Sequence, residues 1–165
     1  MSRLDEFNGR PADAAVEALR ACNAAPRFAA GLVAARPFPD ADTLVRRAGE
    51  VARALPWDEV ELALAAHPRI GERVAGDSAE AAASRREQAS VGGADDATLA
   101  ALVEGNRAYE ERFGRVYLIR AAGRSPEELL AELRRRLGND EDAERAEVVE
   151  QLAQITELRV RELVS

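Results

Sequence analysis

The sequence is poor in the residues that bind transition metals and form disulfides. Its 165 residues include one cysteine and one histidine, so no disulfide can form within the chain, and a zinc or iron site would need almost only carboxylate ligands. Neither a GxGxxG run nor a GxxxxGK[ST] loop occurs, so the usual sequence signals for nucleotide phosphates are missing. We therefore expect no metal ion and no cofactor, and any chemistry should be carried out by side chains alone.

Long apolar runs and net positive charge are also lacking. No segment approaches the roughly 18 apolar residues of a membrane span, and the first residues have no apolar core typical of a secretion signal. With 23 Lys+Arg against 30 Asp+Glu, the formal net charge is −7, which disfavours nucleic acid and anionic membranes as partners. The basic run Arg134–Arg136 could bind an anion locally, but i,i+4 pairs are commoner on an acidic helix. These features predict a cytoplasmic protein that binds neither nucleic acid nor membranes.

Composition and periodicity are typical of helices. Hydrophobic residues make up 47% of the chain, and the many Ala, Leu, Glu and Arg residues are strong helix formers. Helices are predicted over residues 11–23, 27–35, from Asp40 or Asp42 to 55, and over 56–67, 78–91, 95–113, 126–137 and 140–164. A short apolar run, 116–119, is predicted to be extended and buried. Since this length suits one core, we predict a single all-α helical-bundle domain spanning residues 1–165.

His67 is the only side chain whose ordinary pKa, about 6.5, lies near neutral pH. It precedes Pro68, which disfavours helical geometry at the residue before it, so residues 67–71 are predicted to form a surface corner. A ring held in this way at the edge of a cleft is a candidate general acid or base. A lone histidine at a helix end is, however, more commonly structural or simply exposed.

Three polar side chains share one face of the predicted helix 78–91. At about 100° per residue, Ser84, Glu87 and Gln88 fall together with Val91, whereas Arg85 and Arg86 point elsewhere. Such a face could hydrogen-bond a small, flat, nitrogen-rich ligand. The alternative is a solvated helix face.

Two polar residues interrupt apolar helix stripes. The stripe of the last helix consists of Val148, Leu152, Ile155 and Leu163. Arg159 projects from its middle, while Arg161 faces the opposite side. Because a guanidinium stays charged, Arg159 must find a carboxylate, several carbonyls or an anionic ligand. Asn106 lies on the stripe of its own helix, where we expect its amide to brace the backbone.

Short motifs follow one another along nearly the whole chain. They are LDEFN at 4–8, PRFAA at 26–30, HPRIG at 67–71, S-x-x-E-Q at 84–88, N-x-x-Y-x-x-R-F-G at 106–114, GRS at 123–125 and RLGN at 136–139. Together they resemble the 2-oxo-4-hydroxy-4-carboxy-5-ureidoimidazoline (OHCU) decarboxylases, cofactor-free lyases of urate breakdown that release CO2 and form (S)-allantoin. The resemblance implies an all-helical fold, usually a homodimer, with a small ureidoimidazoline as substrate.

The resemblance also implies roles for particular side chains. The implied catalytic residues are His67, Glu87 and Arg159. The implied substrate-binding positions are Pro68, Ser84, Gln88 and Ile119, the last through its backbone. The chain departs from the family pattern at Arg115, where many relatives have an aromatic residue.

The implied reaction defines what these side chains must do. The substrate carries its carboxylate on a carbon that bears a hydroxyl beside a ring carbonyl, which can accept the electrons left by CO2. His67 is expected to exchange a proton, Glu87 to bind the ureido N–H groups or the histidine, and Arg159 to neutralise the carboxylate or the carbonyl oxygen. Two alternatives stay open: a catalytically inactive helical interaction module, and a related lyase or hydrolase that acts on another ureide.

Overall fold

The computed structural model describes residues 1–72 and 74–165, and in this part of the chain every regular element is helical. The helices are α1 (Arg3–Gly9), α2 (Ala12–Arg20), α3 (Pro26–Ala34), α4 (Ala41–Arg53), α5 (Trp57–Leu64), α6 (Ala79–Glu87), α7 (Asp96–Phe113), α8 (Pro126–Arg136) and α9 (Glu141–Leu163), with a 3-10 helix, Ala89–Gly93, after α6. The predicted all-α class is confirmed. None of the described helices is both long and apolar enough to cross a membrane.

The contacts of the chain group into two compact units. The first unit comprises Met1–Ala66 with Leu152–Ser165, and the second unit is His67–Gln151. Helix α9 therefore contributes residues to both units. A single domain over residues 1–165 stays a prediction.

Capping side chains determine where several helices begin. Ser125 accepts a hydrogen bond from the Glu128 N–H at 3.1 Å, and the Glu128 carboxylate accepts from the Ser125 N–H. This is a capping box, with Pro126 at the first position of the predicted helix. At α4 the cap is Asp40, whose carboxylate accepts from the Thr43 N–H at 2.7 Å, which decides between the two predicted aspartates.

Some helix boundaries differ from the predictions. Helix α2 ends at Arg20, α5 at Leu64 and α6 at Glu87, three or four residues earlier than predicted. A proline disfavours helix at the residue before it but does not require the helix to continue that far. After α6 the backbone tightens into a 3-10 helix, a common ending for α-helices. Helix α1 was not predicted, although Ser2 and Asp5 form a capping box at its start.

Each unit has its own apolar core. In the first unit the fully buried side chains include Phe7, Leu19, Phe28, Leu32, Leu44 and Leu152. In the second unit the core cluster includes Ile70, Val91, Leu102, Tyr109, Tyr117, Ile119, Leu129 and Leu133. Helices α7 and α8 pack so closely there that a Cβ atom at Gly105 would overlap the Leu133 side chain. The core cluster thus includes Ile70 of the HPRIG corner and Ile119 of the predicted apolar run.

Candidate active site

The HPRIG corner is held by the carboxamide of Gln88, the C-cap residue that follows the last residue of α6. Its Oε1 accepts a hydrogen bond from the Gly71 N–H at 3.1 Å, and its Nε2 donates to the Arg69 carbonyl oxygen at 3.5 Å. Gly71 has φ of 87°, a left-handed conformation that glycine adopts without strain. The predicted corner is therefore present, with defined backbone geometry shortly after His67.

Helix α7 holds the same corner from a second side. Asn106 is 6% exposed, and its Nδ2 donates to the Ile70 carbonyl oxygen at 2.8 Å. Because a carbonyl oxygen can only accept, this contact fixes the orientation of the amide. One turn further along α7, Glu110 accepts from Arg69 Nε at 2.6 Å. The predicted backbone-bracing role of Asn106 is confirmed, and three successive residues after Pro68 are held in place.

Helix α6 divides its polar residues as predicted. Ser84 is buried, with 3% of its surface exposed, and Glu87 is half-buried. Arg85 and Arg86 are exposed, and Arg85 Nη1 donates to the Gly76 carbonyl oxygen at 2.6 Å. A fully solvated face is therefore wrong for Ser84.

The other predicted site residues differ in their burial and in their contacts. Val91, predicted to share the face of Ser84, instead lies in the 3-10 helix and packs in the apolar core, because α6 has already ended. His67 and Pro68 are half-buried, so the ring is partly accessible. Of the predicted site residues, Gln88 makes direct hydrogen bonds to the HPRIG corner.

Residues 116–120 contain no helix or turn, and Tyr117, Leu118 and Ile119 are buried, in agreement with the predicted extended run. The Leu118 carbonyl oxygen accepts from Arg136 Nη1 at 2.7 Å, and the Arg120 N–H donates to Gln151 Oε1 at 2.9 Å. The N–H and carbonyl of Ile119 make no hydrogen bond to any residue that the structure describes. Buried backbone groups are nearly always paired, so the N–H and carbonyl of Ile119 are candidate ligand contacts.

Sequence reasoning missed a buried polar cluster beside this segment. Arg136 and Glu144 are 1% and 0% exposed, with 2.5 Å between Nη2 and Oε2. Tyr109 donates its hydroxyl hydrogen to the same carboxylate. Burial and this hydrogen bond raise the pKa of the Tyr109 hydroxyl well above its usual range, so the hydroxyl remains a donor.

The predicted i,i+4 pairing of the basic run on α8 is wrong. Arg136 pairs with Glu144 of α9, and Arg135 bridges Glu132, at i−3, and Glu147 of α9. The sequence does indicate that Arg136 is buried. It lies seven residues after Leu129 and three after Leu133, so it falls on the same apolar stripe of the helix. The spacing that singled out Arg159 would equally have singled out Arg136.

Arg159 lies in the first unit, at 4% exposure. Its Nη1 donates to the Ala21 carbonyl oxygen at 3.2 Å. Arg161 is exposed and pairs with Asp42 at 2.9 Å. Val148, Leu152 and Ile155 are buried as predicted, Leu163 is half-buried, and Val160 and Val164 are buried as well. The predicted contrast between the two arginines is confirmed.

Arg115, where the chain departs from the family pattern, lies close to an aromatic ring. Its guanidinium carbon is 5.4 Å from the centroid of the Phe113 ring. Its Nη2 also pairs with Glu141 Oε1 at 2.6 Å. The planar cation thus covers one side of Phe113.

Comparisons with known proteins agree with this architecture. The family model described as OHCU decarboxylase matches residues 8–161. The 2-oxo-4-hydroxy-4-carboxy-5-ureidoimidazoline decarboxylase of Amia calva is 33% identical over 141 residues, which cover 84% of this chain and 81% of that protein.

Two solved structures share the fold. A crystal structure of OHCU decarboxylase in the presence of (S)-allantoin has a TM-score of 0.75 and 23% identity, covering 88% of this chain and 95% of that one. A crystal structure of (S)-allantoin synthase has a TM-score of 0.72 and 16% identity, covering 98% of this chain and 54% of that one. The fold, the ordered motifs and the match over residues 8–161 lead to one conclusion, that this chain belongs to the OHCU decarboxylase family.

Proposed function

We propose that this chain decarboxylates OHCU to (S)-allantoin and CO2 in urate catabolism. Family membership across residues 8–161 carries the proposal. The HPRIG corner supports it, because the backbone after His67 is hydrogen-bonded to both Gln88 and Asn106. A catalytic ring needs a defined position to transfer a proton to one face of an intermediate.

In the proposed mechanism the bond between the substrate carbon and its carboxylate breaks and CO2 leaves. The electron pair moves into the adjacent ring C=N bond and the carbonyl conjugated with it, forming an enolate-like intermediate. Arg159 orients the carboxylate or stabilises the charge on the carbonyl oxygen. His67 acts as general acid/base at the hydroxyl or at the new carbanion centre. The hydroxyl then loses its proton to become a ring carbonyl of allantoin, and a proton delivered to one face of the neighbouring carbon, which bears the ureido group, gives one enantiomer.

The remaining site residues are assigned to substrate binding. Glu87 accepts hydrogen bonds from the ureido N–H groups or from His67. Pro68 and Ser84 line the space that the ring occupies. Gln88 has one N–H directed to the Arg69 carbonyl oxygen, so the second N–H of its amide is assigned to the ring. Ile119 contributes its backbone N–H and carbonyl.

Freshly prepared OHCU, followed by circular dichroism, tests the proposed function. The uncatalysed reaction yields racemic allantoin, so we expect a dichroic signal of (S)-allantoin only when the protein is present. A parallel sample without protein gives the spontaneous rate. Racemic product at the spontaneous rate would reject the function and favour an inactive interaction module, while turnover of another ureide alone would favour a related lyase or hydrolase.

Turnover is expected to survive exhaustive treatment with EDTA and to need no added nucleotide, thiamine or pyridoxal cofactor. With one histidine and one cysteine in the chain, ligands for a transition metal are scarce. Among the described residues, no group of three His, Cys, Asp or Glu side chains could hold a metal ion. Activity that EDTA abolishes and one metal ion restores would contradict this prediction.

We further propose that the protein is a cytoplasmic homodimer. The dimer follows from the family resemblance. The cytoplasmic location is supported by the single cysteine, Cys22, which lies buried and gives no sign of a disulfide framework. Size-exclusion chromatography with light scattering should give twice the 17.8 kDa mass of one chain, and a mass of one chain would reject the dimer.

A further inference from the structure

The second unit contains a buried ion pair to which the proposed reaction assigns no role. Arg136 and Glu144 share three nitrogen–oxygen contacts between 2.5 and 3.1 Å. Tyr109 donates to one carboxylate oxygen of Glu144, and Asn139 donates to the other at 3.1 Å. A buried ion pair is tolerated when the remaining hydrogen-bonding groups are satisfied. Both oxygens of this carboxylate have such partners.

One donor of Arg136 extends beyond the ion pair to the backbone. Its Nη1 donates to the Leu118 carbonyl oxygen at 2.7 Å. Two residues later, the Arg120 N–H donates to Gln151 Oε1 at 2.9 Å. Side chains from α8 and α9 therefore hold the backbone on both sides of Ile119.

Extended backbone directs the polar groups of successive residues to opposite edges. The N–H and carbonyl of one residue point to one edge, and those of the next residue point to the other. Leu118 and Arg120 use the edge that faces Arg136 and Gln151. Ile119, at 3% exposure, directs to the opposite edge a donor and an acceptor that bond to no described residue. This edge is complementary to a ligand that offers an acceptor beside a donor, as a ureide or ring amide does.

We propose that Arg136, held by Glu144, and Gln151 are positioning residues that orient the backbone N–H and carbonyl of Ile119 toward the substrate. This inference rests on the proposed function, in which Ile119 is a substrate contact. The positioning residues act through the backbone and touch no reacting atom. Their loss should weaken binding of the ground state and transition state alike, so KM should rise while kcat changes little.

A matched pair of Gln151 variants tests this role. Gln151→Met keeps the length of the side chain but removes the oxygen that accepts from the Arg120 N–H, whereas Gln151→Glu keeps an accepting oxygen. We expect Gln151→Met to raise KM for OHCU about 2- to 10-fold, the range for one lost hydrogen bond, and Gln151→Glu to stay near the wild-type KM. An unchanged KM in Gln151→Met, or an equal rise in both variants, would overturn the proposal.

The ion pair is best tested without leaving a lone buried charge. The double variant Arg136→Met/Glu144→Leu removes both charges, and apolar replacement of a buried ion pair often preserves stability. We expect the double variant to fold with a lowered unfolding temperature, because the Tyr109 hydroxyl and the Leu118 carbonyl lose their partners. We expect its KM to rise about 10-fold or more, because a charge-assisted hydrogen bond to Leu118 is lost. A folded double variant with the wild-type KM would overturn the role of Arg136. If the double variant does not fold, the comparison of Gln151→Met with Gln151→Glu tests the proposal.

The wild-type protein separates this inference from the proposed function. If it does not accelerate OHCU decarboxylation, the proposed function itself fails. If it does, and KM is unmoved in the variants, only the positioning roles fail. The amide resonance of Ile119 gives an independent readout, since it should shift when (S)-allantoin is titrated into the wild type and shift less in Gln151→Met.

Discussion

His67→Asn is expected to leave the fold intact and to lower kcat for OHCU decarboxylation by about 10²- to 10⁴-fold, the usual contribution of a general acid/base. Asparagine retains some hydrogen bonding at the end of the corner but cannot exchange protons. The corner itself should persist, because its hydrogen bonds come from Gln88 and Asn106. Stopped-flow measurement of CO2 release, together with circular dichroism of the product, checks the rate and the enantiomer.

The single histidine gives this prediction an internal control. Since His67 is the only imidazole, one NMR titration reports its pKa without assignment, and the wild-type pH profile should show a limb at the same pH. The variant should lack that limb. A variant that works at the wild-type rate and still yields one enantiomer would assign His67 to structure, and proton transfer would pass to Glu87 or water.

Arg159→Ala is expected to lower kcat/KM by about 10²- to 10³-fold, comparable to removing one preorganised donor to a developing oxyanion. Arg161→Ala, two residues away on the same helix, is the matched control. Arg161 pairs with Asp42 on the surface, and exposed ion pairs contribute little, so its activity should stay within about twofold of the wild type. Steady-state kinetics of both variants with OHCU measure the contrast.

Stability must be measured in parallel, because Arg159 is buried and donates to the Ala21 carbonyl oxygen. Arg159→Met keeps the bulk of the side chain and limits the cavity. Arg159→Lys keeps the charge but loses the planar fork that binds a carboxylate through two hydrogen bonds, so it should remain folded with reduced activity. Equal losses in the alanine variants of Arg159 and Arg161 would show that Arg159 is not the catalytic arginine.

The helices were largely predictable because local chemistry specifies where they begin. Ser125 and Asp40 cap their helices through their own side chains, and Gly114 ends α7 with φ of 70°. The end of α6 was not predictable in this way. Gln88, the residue after α6, bonds to Gly71, which is 17 residues away in the sequence. Periodicity indicates which face of a helix is buried, but it does not indicate where the last backbone hydrogen bond of the helix lies.

The candidate site was predictable only where a residue conflicts with its surroundings. Arg159 and Asn106 were found because a polar group on an apolar stripe demands a partner. The burial of Glu144 could not be predicted from its own helix, because it depends on Arg136 and Tyr109, which belong to other helices. Among 30 acidic residues, its position in the first turns of a charged helix carries no signal of its own.

The first unit is built from two segments that are far apart in the sequence, and this affects how the chain can fold during synthesis. Residues 67–151 of the second unit are contiguous, whereas the first unit combines Met1–Ala66 with Leu152–Ser165. Its hydrogen bond between Asn23 and Thr156 spans 133 residues. Such distant contacts close slowly, and they cannot form until the ribosome has released the end of α9. The second unit can therefore complete its own contacts first, while the earliest residues translated must wait for the last.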